Sequence, residues 1–266
     1  MFFKTQSGRS IYYETKIGHN KNHLVLLNGL TQSTVAWSLM EPYLKDYNLL
    51  LLDFVFQGKS EKNGSWQSFD QHAKDVWDLL NYLNIKRPHI AGLSYGSLVA
   101  QHYAVLFPNS INTLILMSSF CTKTPYYLAI ESAWEKALQV GGYGLLLEVM
   151  LPSVLSENYF NSPIIPIDLM KEARSEINND PGAILKLMKA TKERSDYSDK
   201  LQEIKSPTLI IHGERDLLFP IHMGEVVHYN IKNSEFVVLR HVGHTLNLEA
   251  AMATSTEINR FLKKQE

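Results

Sequence analysis

Residues 90–97 read Ile-Ala-Gly92-Leu-Ser94-Tyr-Gly96-Ser, a Gly-x-Ser-x-Gly match lying between two differently patterned flanks. Before it, Pro88-His-Ile-Ala91 has the character of a short buried strand. After it, Leu98, Val99, Tyr103, Ala104, Leu106 and Phe107 fall at helical spacing, and Pro108 stops the run. A strand passing directly into a helix here needs a tight, strained turn with Ser94 at its tip. Small residues two before and two after the serine let that turn close without side-chain collision. A serine hydroxyl is a poor nucleophile unless the backbone thrusts it into a site beside a base, and this turn does so.

Such a serine needs a base, and the base needs an orienting acid. Ser206-Pro-Thr-Leu-Ile-Ile-His212 reads as a buried strand leading into Gly213-Glu-Arg-Asp216. Glu235-Phe-Val-Val-Leu-Arg240 reads as another, leading into His241-Val-Gly243-His244. Parallel neighbours would bring both loops to the carboxyl edge of the sheet, where such sheets place their sites. Asp216 and His244 are therefore the candidate acid and base. Asp216 could instead only cap its turn, and His244 could be a surface histidine.

With Gly92-Leu-Ser94-Tyr-Gly96, Gly213-Glu-Arg-Asp216 and Gly243-His244 in that order, the chain resembles the α/β-hydrolase fold superfamily over nearly its full length. The resemblance implies an α/β fold with a mostly parallel, eight-stranded sheet flanked by helices, with a helical cap inserted. It also implies catalysis by Ser94, His244 and Asp216 with no metal or organic cofactor. Some members carry the acid after the strand following the elbow helix. Here that strand, Thr113–Met117, runs into Ser118-Ser-Phe-Cys-Thr-Lys-Thr without a carboxylate, which leaves Asp216. The implied oxyanion donors are the backbone N–H groups of Tyr95 and Leu30. Relatives often show His-Gly-aromatic where this chain has Asn28-Gly29-Leu30, and Asn28 is placed to hold that loop by a side-chain hydrogen bond. A second departure is Asp53-Phe-Val-Phe-Gln-Gly58-Lys-Ser60, where Val55 and Phe56 replace the Arg and first Gly of the superfamily pattern.

The first 90 residues suggest strands at about 2–6, 10–15, 24–28 and 49–53, with helices at about 34–45 and 68–84. Alternating strands and helices argue a sheet covered on both faces. Between about 120 and 204 the strand signals vanish and large apolar residues gather, punctuated by Pro152, Pro163, Pro166 and Gly141-Gly142. This segment is the expected cap, with 1–119 and 205–266 as the core. Leu30, Tyr126, Tyr127 and Trp134 are the candidates for its substrate pocket, although Trp134, like Trp37, reads first as packing. The content of the cap favours an apolar substrate.

The remaining signals bound the function. A net charge of −1 gives no electrostatic case for nucleic acid or an anionic membrane surface. The single cysteine, Cys121, excludes an internal disulfide and suits a reducing compartment. The N-terminus lacks a signal-peptide pattern, and no apolar run approaches the roughly 18–20 residues that cross a bilayer, so a cytoplasmic protein is expected, as monomer or homodimer. His241 and His244 are three apart but lack the companions of a metal site. His212 and His102 read as structural histidines, and the charges at 186–205, with Lys59, as a solvated face. The expected activity is hydrolysis of a small to medium carboxylic ester through an acyl-enzyme. A thioester, a lactone or a vinylogous C–C bond would suit the same residues, and a ligand-binding receptor on this fold is the reading from another class.

Overall fold

The computed structural model describes residues 1–177 and 180–265. Eight strands form one sheet: β1 (Phe2–Lys4), β2 (Ser10–Lys16), β3 (His23–Leu27), β4 (Asn48–Leu52), β5 (His89–Leu93), β6 (Thr113–Met117), β7 (Thr208–Gly213) and β8 (Ser234–Leu239). Their spatial order is β1-β2-β4-β3-β5-β6-β7-β8. β2 runs antiparallel to both its neighbours, and every other pair is parallel. The expected α/β architecture is the one observed.

The central strands are continuous apolar runs because both faces of the sheet are covered. Side chains alternate between faces along each strand. Val25, Leu27, Leu50, Leu52, Leu114 and Leu116 join one core, shared with α1 (Phe69–Tyr82) and α2 (Tyr95–Leu106). Leu24, Leu26, Leu49, Leu51, Ile115 and Met117 join the other, beneath Trp37, Met40 and α10 (Ala251–Lys263). Each fully buried leucine contributes on the order of 2 kcal/mol, so the sheet is held from both sides. α1 starts where Ser68 and Gln71 exchange side-chain and backbone hydrogen bonds, a capping box.

Residues 34–45 do not form the single helix their spacing suggests. Two short 3-10 turns, Thr34–Trp37 and Glu41–Tyr43, stand there instead. Pro42 has no N–H to continue an α-helix, while Trp37, Met40 and Leu44 still bury their side chains at helix-like intervals.

Between β6 and β7 the described chain is helical: α3 (Pro125–Val154), α4 (Glu157–Asn161), α5 (Ile167–Ile177), α6 (Pro181–Glu193) and α7 (Ser198–Leu201). The excursion leaves at Cys121 and returns at Tyr197, whose N–H donates to the Cys121 carbonyl at 3.1 Å. α3 qualifies the reading that nothing here could span a bilayer. It has 30 residues, and an 18-residue stretch of it reaches a mean hydropathy of 1.3. Scattered Gln and Glu interrupt its apolar runs, which is why no unbroken run stands out. It is bent at Gly142, whose φ of 64° is outside helical geometry, and Tyr127, Leu138, Leu146, Leu147 and Leu151 are buried in the core. The sheet is completed by α8 (Ile221–Asn230) after β7 and by α9 (Leu246–Glu249) ahead of α10.

Candidate active site

Ser94 joins β5 to α2 with φ 52° and ψ −114°, a region that non-glycine residues rarely occupy. Its N–H is tied to Met117 O on β6 at 2.9 Å, and its hydroxyl makes no capping bond to the helix it starts. Two close approaches explain the flanking glycines. A Cβ on Gly96 would collide with the Leu27 carbonyl, and one on Gly92 with the Gly96 carbonyl. The N–H of Tyr95 opens α2, so it lies at the positive end of the helix dipole with no intrahelical acceptor.

The loop after β3 is held by a buried polar network. Asn28 donates to Leu52 O (2.8 Å) and accepts from the Trp37 indole (2.7 Å), so the side-chain anchor read from Asn28 is present. Gln57 Nε2 donates to Gly29 O (2.8 Å) and Leu30 O (3.1 Å), while Gln32 Oε1 accepts from Gly29 N (3.1 Å). Asp53 accepts from Thr34 N (2.7 Å) and Lys59 N (2.9 Å); burial raises its carboxyl, and these bonds oppose the rise. The carbonyls of Gly29 and Leu30 are thus engaged from behind, and no protein acceptor among the described residues takes the Leu30 N–H. Gln57 escaped sequence reading because its partners lie 27 and 28 residues away. Phe56, where the superfamily pattern has glycine, keeps a φ of 78° and is buried.

Asp216 and His244 stand on the loops after β7 and β8. Asp216 Oδ1 accepts from Leu218 N (3.0 Å) and Phe219 N (2.8 Å). Its Oδ2 lies 2.8 Å from His244 Nδ1, and both side chains are buried. An ionised carboxylate only accepts, so Nδ1 carries the proton and Nε2 is left as an acceptor. The His244 loop is pinned where His244 N donates to Val154 O (3.2 Å) and Ser118 Oγ to His244 O (2.7 Å). His212 donates from Nε2 to Phe219 O, and burial lowers its pKa, so it stands as a neutral support behind Asp216.

Ser94 and His244 line one cavity of about 40 Å³, together with Leu30, Trp134, Met150, Val154, Arg174 and Leu218. Among the described residues no hydrogen bond joins Ser94 Oγ to His244; such contacts are often loose without substrate. A second cavity of about 30 Å³ shares Leu30, Ser94, Trp134 and Leu218 and adds Tyr95, Phe120, Tyr127 and Phe219. Trp134 lines both chambers, and among the described residues its buried indole N–H has no acceptor. Tyr127 reaches the second chamber with its hydroxyl on Glu131 (3.0 Å). Tyr126 does not belong to the pocket. It is 54% exposed, because one step along the first turn of α3 rotates it away from the buried face. Arg174 was missed, since a lone arginine in an amphipathic helix carries no local signal that it faces a cavity.

Among the described residues no cluster of three His, Cys, Asp or Glu side chains could hold a metal ion. His241 turns to Glu214 (3.7 Å) while His244 turns to Asp216, so the two histidines do not converge.

A family model described as the alpha/beta hydrolase fold matches residues 22–146. A 2-hydroxy-6-oxononadienedioate/2-hydroxy-6-oxononatrienedioate hydrolase of Paraburkholderia phymatum is 26% identical over 88% of this chain and 84% of its own. The crystal structure of MGS-M2, an alpha/beta hydrolase enzyme from a Medee basin deep-sea metagenome library, superposes with a TM-score of 0.89 at 25% identity, covering 99% of this chain and 97% of that one. The enol-lactonase from Burkholderia xenovorans LB400 gives 0.90 at 21% identity, covering 99% of this chain and 100% of that one, a likeness of fold.

Proposed function

We propose that this chain, which belongs to the α/β-hydrolase fold superfamily, hydrolyses carboxylic esters with Ser94 as nucleophile. Ser94 Oγ attacks the ester carbonyl while His244 Nε2 takes its proton. Asp216 fixes the imidazole tautomer and stabilises the imidazolium. The N–H groups of Leu30 and Tyr95 receive the developing oxyanion. The intermediate collapses, His244 protonates the departing alcohol, and a water activated by His244 then releases the acid from Ser94. The observation that carries this reading is the buried Asp216–His244 pair at 2.8 Å, opening on the cavity that the strained Ser94 also lines.

The two small chambers that Trp134 lines suit a small acyl group and a small leaving group. Steady-state hydrolysis of p-nitrophenyl esters from acetate to dodecanoate, with Ser94→Ala as control, tests the proposal. Turnover abolished in the variant, with a short-chain optimum, supports it. Wild-type activity no greater than the variant's overturns it and promotes the receptor reading, to be followed by ligand-induced thermal shifts.

One observation favours a second reading. Arg174 lines the cavity, and a guanidinium is suited to a carboxylate. The relative from Paraburkholderia phymatum is named for a dioate, so a carboxylate-bearing lactone or C–C substrate is the alternative. Under it, Arg174→Gln raises KM for carboxylate-bearing substrates and leaves neutral esters nearly unchanged.

A further inference from the structure

The turn from α3 into α4 meets the His244 loop at Glu249, whose carboxylate serves both segments at once. Its Oε2 accepts from Ser156 N (3.0 Å), at the N-cap of α4, and from Gly243 N (3.1 Å), next to His244. Burial raises this carboxyl, and bonds from Ser156, Gly243 and Thr245 oppose the rise. α3 ends at Val154, and the Val154 carbonyl accepts from His244 N (3.2 Å) and Thr245 Oγ1 (3.1 Å). Each residue from Gly243 to Thr245 is thus tied to the α3–α4 turn, directly or through Glu249. An apolar side chain in place of Glu249 would leave the Ser156 and Gly243 N–H groups without this acceptor.

Three segments close on one another at Gly243. A Cβ there would lie 2.6 Å from Ser156 N, 2.7 Å from Glu249 Oε1 and 3.0 Å from the Leu155 carbonyl carbon. On the other side, the Gly243 carbonyl occupies the place that a Cβ on Gly213 would need, and Gly213 ends β7 just ahead of the Asp216 turn. The end of α3, the Asp216 loop and the His244 loop are therefore in direct backbone contact. A junction packed this closely passes a displacement of one member to the others. Val154 also lines the cavity shared by Ser94 and His244. A substrate pressing on Val154 thus presses on the residue whose carbonyl holds the His244 backbone.

We infer that Glu249 is a positioning residue for His244: it fastens the residue before the imidazole to the α3–α4 turn, so the helical insertion that helps to line the Ser94 cavity also sets where His244 Nε2 stands. The inference rests on the reading of Ser94 as nucleophile and His244 as its base. What Glu249 supplies is reach, an acceptor oxygen at the end of a two-methylene stem, and its charge is secondary. Misplacing a reacting group by about 1 Å costs up to roughly 10²-fold in rate. Because the proton moves only in the transition state, the loss falls on kcat and leaves KM nearly unchanged.

The test uses the full chain with Glu249→Gln, Glu249→Asp and Glu249→Ala. The glutamine keeps an acceptor oxygen at the same reach without the charge. The aspartate keeps the charge one methylene short, and it remains informative if the alanine variant folds poorly. Three readouts are taken per folded protein: p-nitrophenyl acetate kinetics, the rate at which a fluorophosphonate labels Ser94, and the His244 Nδ1 proton resonance by NMR. Glu249→Gln is expected to stay within about three-fold of wild type, while Glu249→Asp and Glu249→Ala lower kcat and the labelling rate about 10–100-fold with KM within about two-fold. The Nδ1 proton should move in those two variants and hold its place in Glu249→Gln. Glutamine as slow as alanine, a loss confined to KM, or a loss that vanishes per folded protein overturns the inference while Ser94-dependent hydrolysis stands. A wild type that hydrolyses no ester, yet is labelled at Ser94 faster than Glu249→Asp and Glu249→Ala, overturns the proposed function and leaves the inference supported.

Discussion

Replacing Asp216 by asparagine tests the role proposed for its carboxylate. Asp216 Oδ1 accepts two backbone N–H groups, from Leu218 and Phe219, and Oδ2 faces His244 Nδ1. The amide of Asp216→Asn has one oxygen and must choose. Turning that oxygen to His244 sets the NH2 group against both backbone donors and leaves them buried and unpaired, at about 1–3 kcal/mol each, or roughly 2–6 kcal/mol together. Keeping the oxygen on the backbone sends the NH2 group to Nδ1, where it pairs only if Nδ1 has no proton. The second arrangement wins. It places the imidazole proton on Nε2, so the nitrogen needed to accept from Ser94 is occupied. We expect kcat to fall about 10⁴-fold, the scale of such a wrong-tautomer change, with folding stability within about 1 kcal/mol of wild type. Ester kinetics, thermal melting and imidazole nitrogen NMR shifts measure the three quantities. An Asp216→Asn protein with activity within ten-fold of wild type, or with the proton still on Nδ1, would refute the reasoning.

Asp75 is buried with its Oδ2 on Gln67 Nε2 (3.1 Å), and burial pushes its carboxyl up to about 7. A raised carboxyl contributes stability that is full below its ordinary value and lost as pH climbs through the folded value, here between about 4 and 7, up to roughly 4 kcal/mol. Asp75→Asn should therefore gain in Tm over wild type as pH rises from 5 to 8, and a constant difference would contradict this. Trp134→Ala enlarges the two chambers it lines beside Ser94 and should move the ester optimum to longer acyl chains, at a stability cost of about 3–5 kcal/mol; an unchanged chain-length profile counts against the pocket assignment. In Phe56→Gly, relief of the φ 78° strain returns about 1–2 kcal/mol while the buried ring loses about 3–5, so denaturant melts should show a net loss of about 1–4 kcal/mol.

What could be read from the sequence was local. The elbow, the strands and the loops after β7 and β8 each carry their constraint within a few residues, as Gly92 and Gly96 do around Ser94. What escaped was decided by distant partners. Gln57 looks like any loop amide until the Gly29 and Leu30 carbonyls arrive from 27 and 28 residues away. Arg194 sits in a charged stretch, and its acceptors Gln101 and Cys121 lie 93 and 73 residues upstream. Tyr126 and Tyr127 are equally aromatic, and only the phase of α3 sends one to solvent and the other to the chamber. The misread helix at 34–45 shows that burial at helical intervals is not helix formation when Pro42 breaks the bonding.

The hydrogen bond from Tyr197 to Cys121 closes the excursion at its base. Evolution can therefore treat the helices above it as an exchangeable module. Once entry and exit are pinned together, doubling the intervening length adds only about 0.6 kcal/mol of closure entropy, and strand order beneath is untouched. Any replacement of that module must still fill the buried position that Arg194 takes beside Gln101 and Cys121.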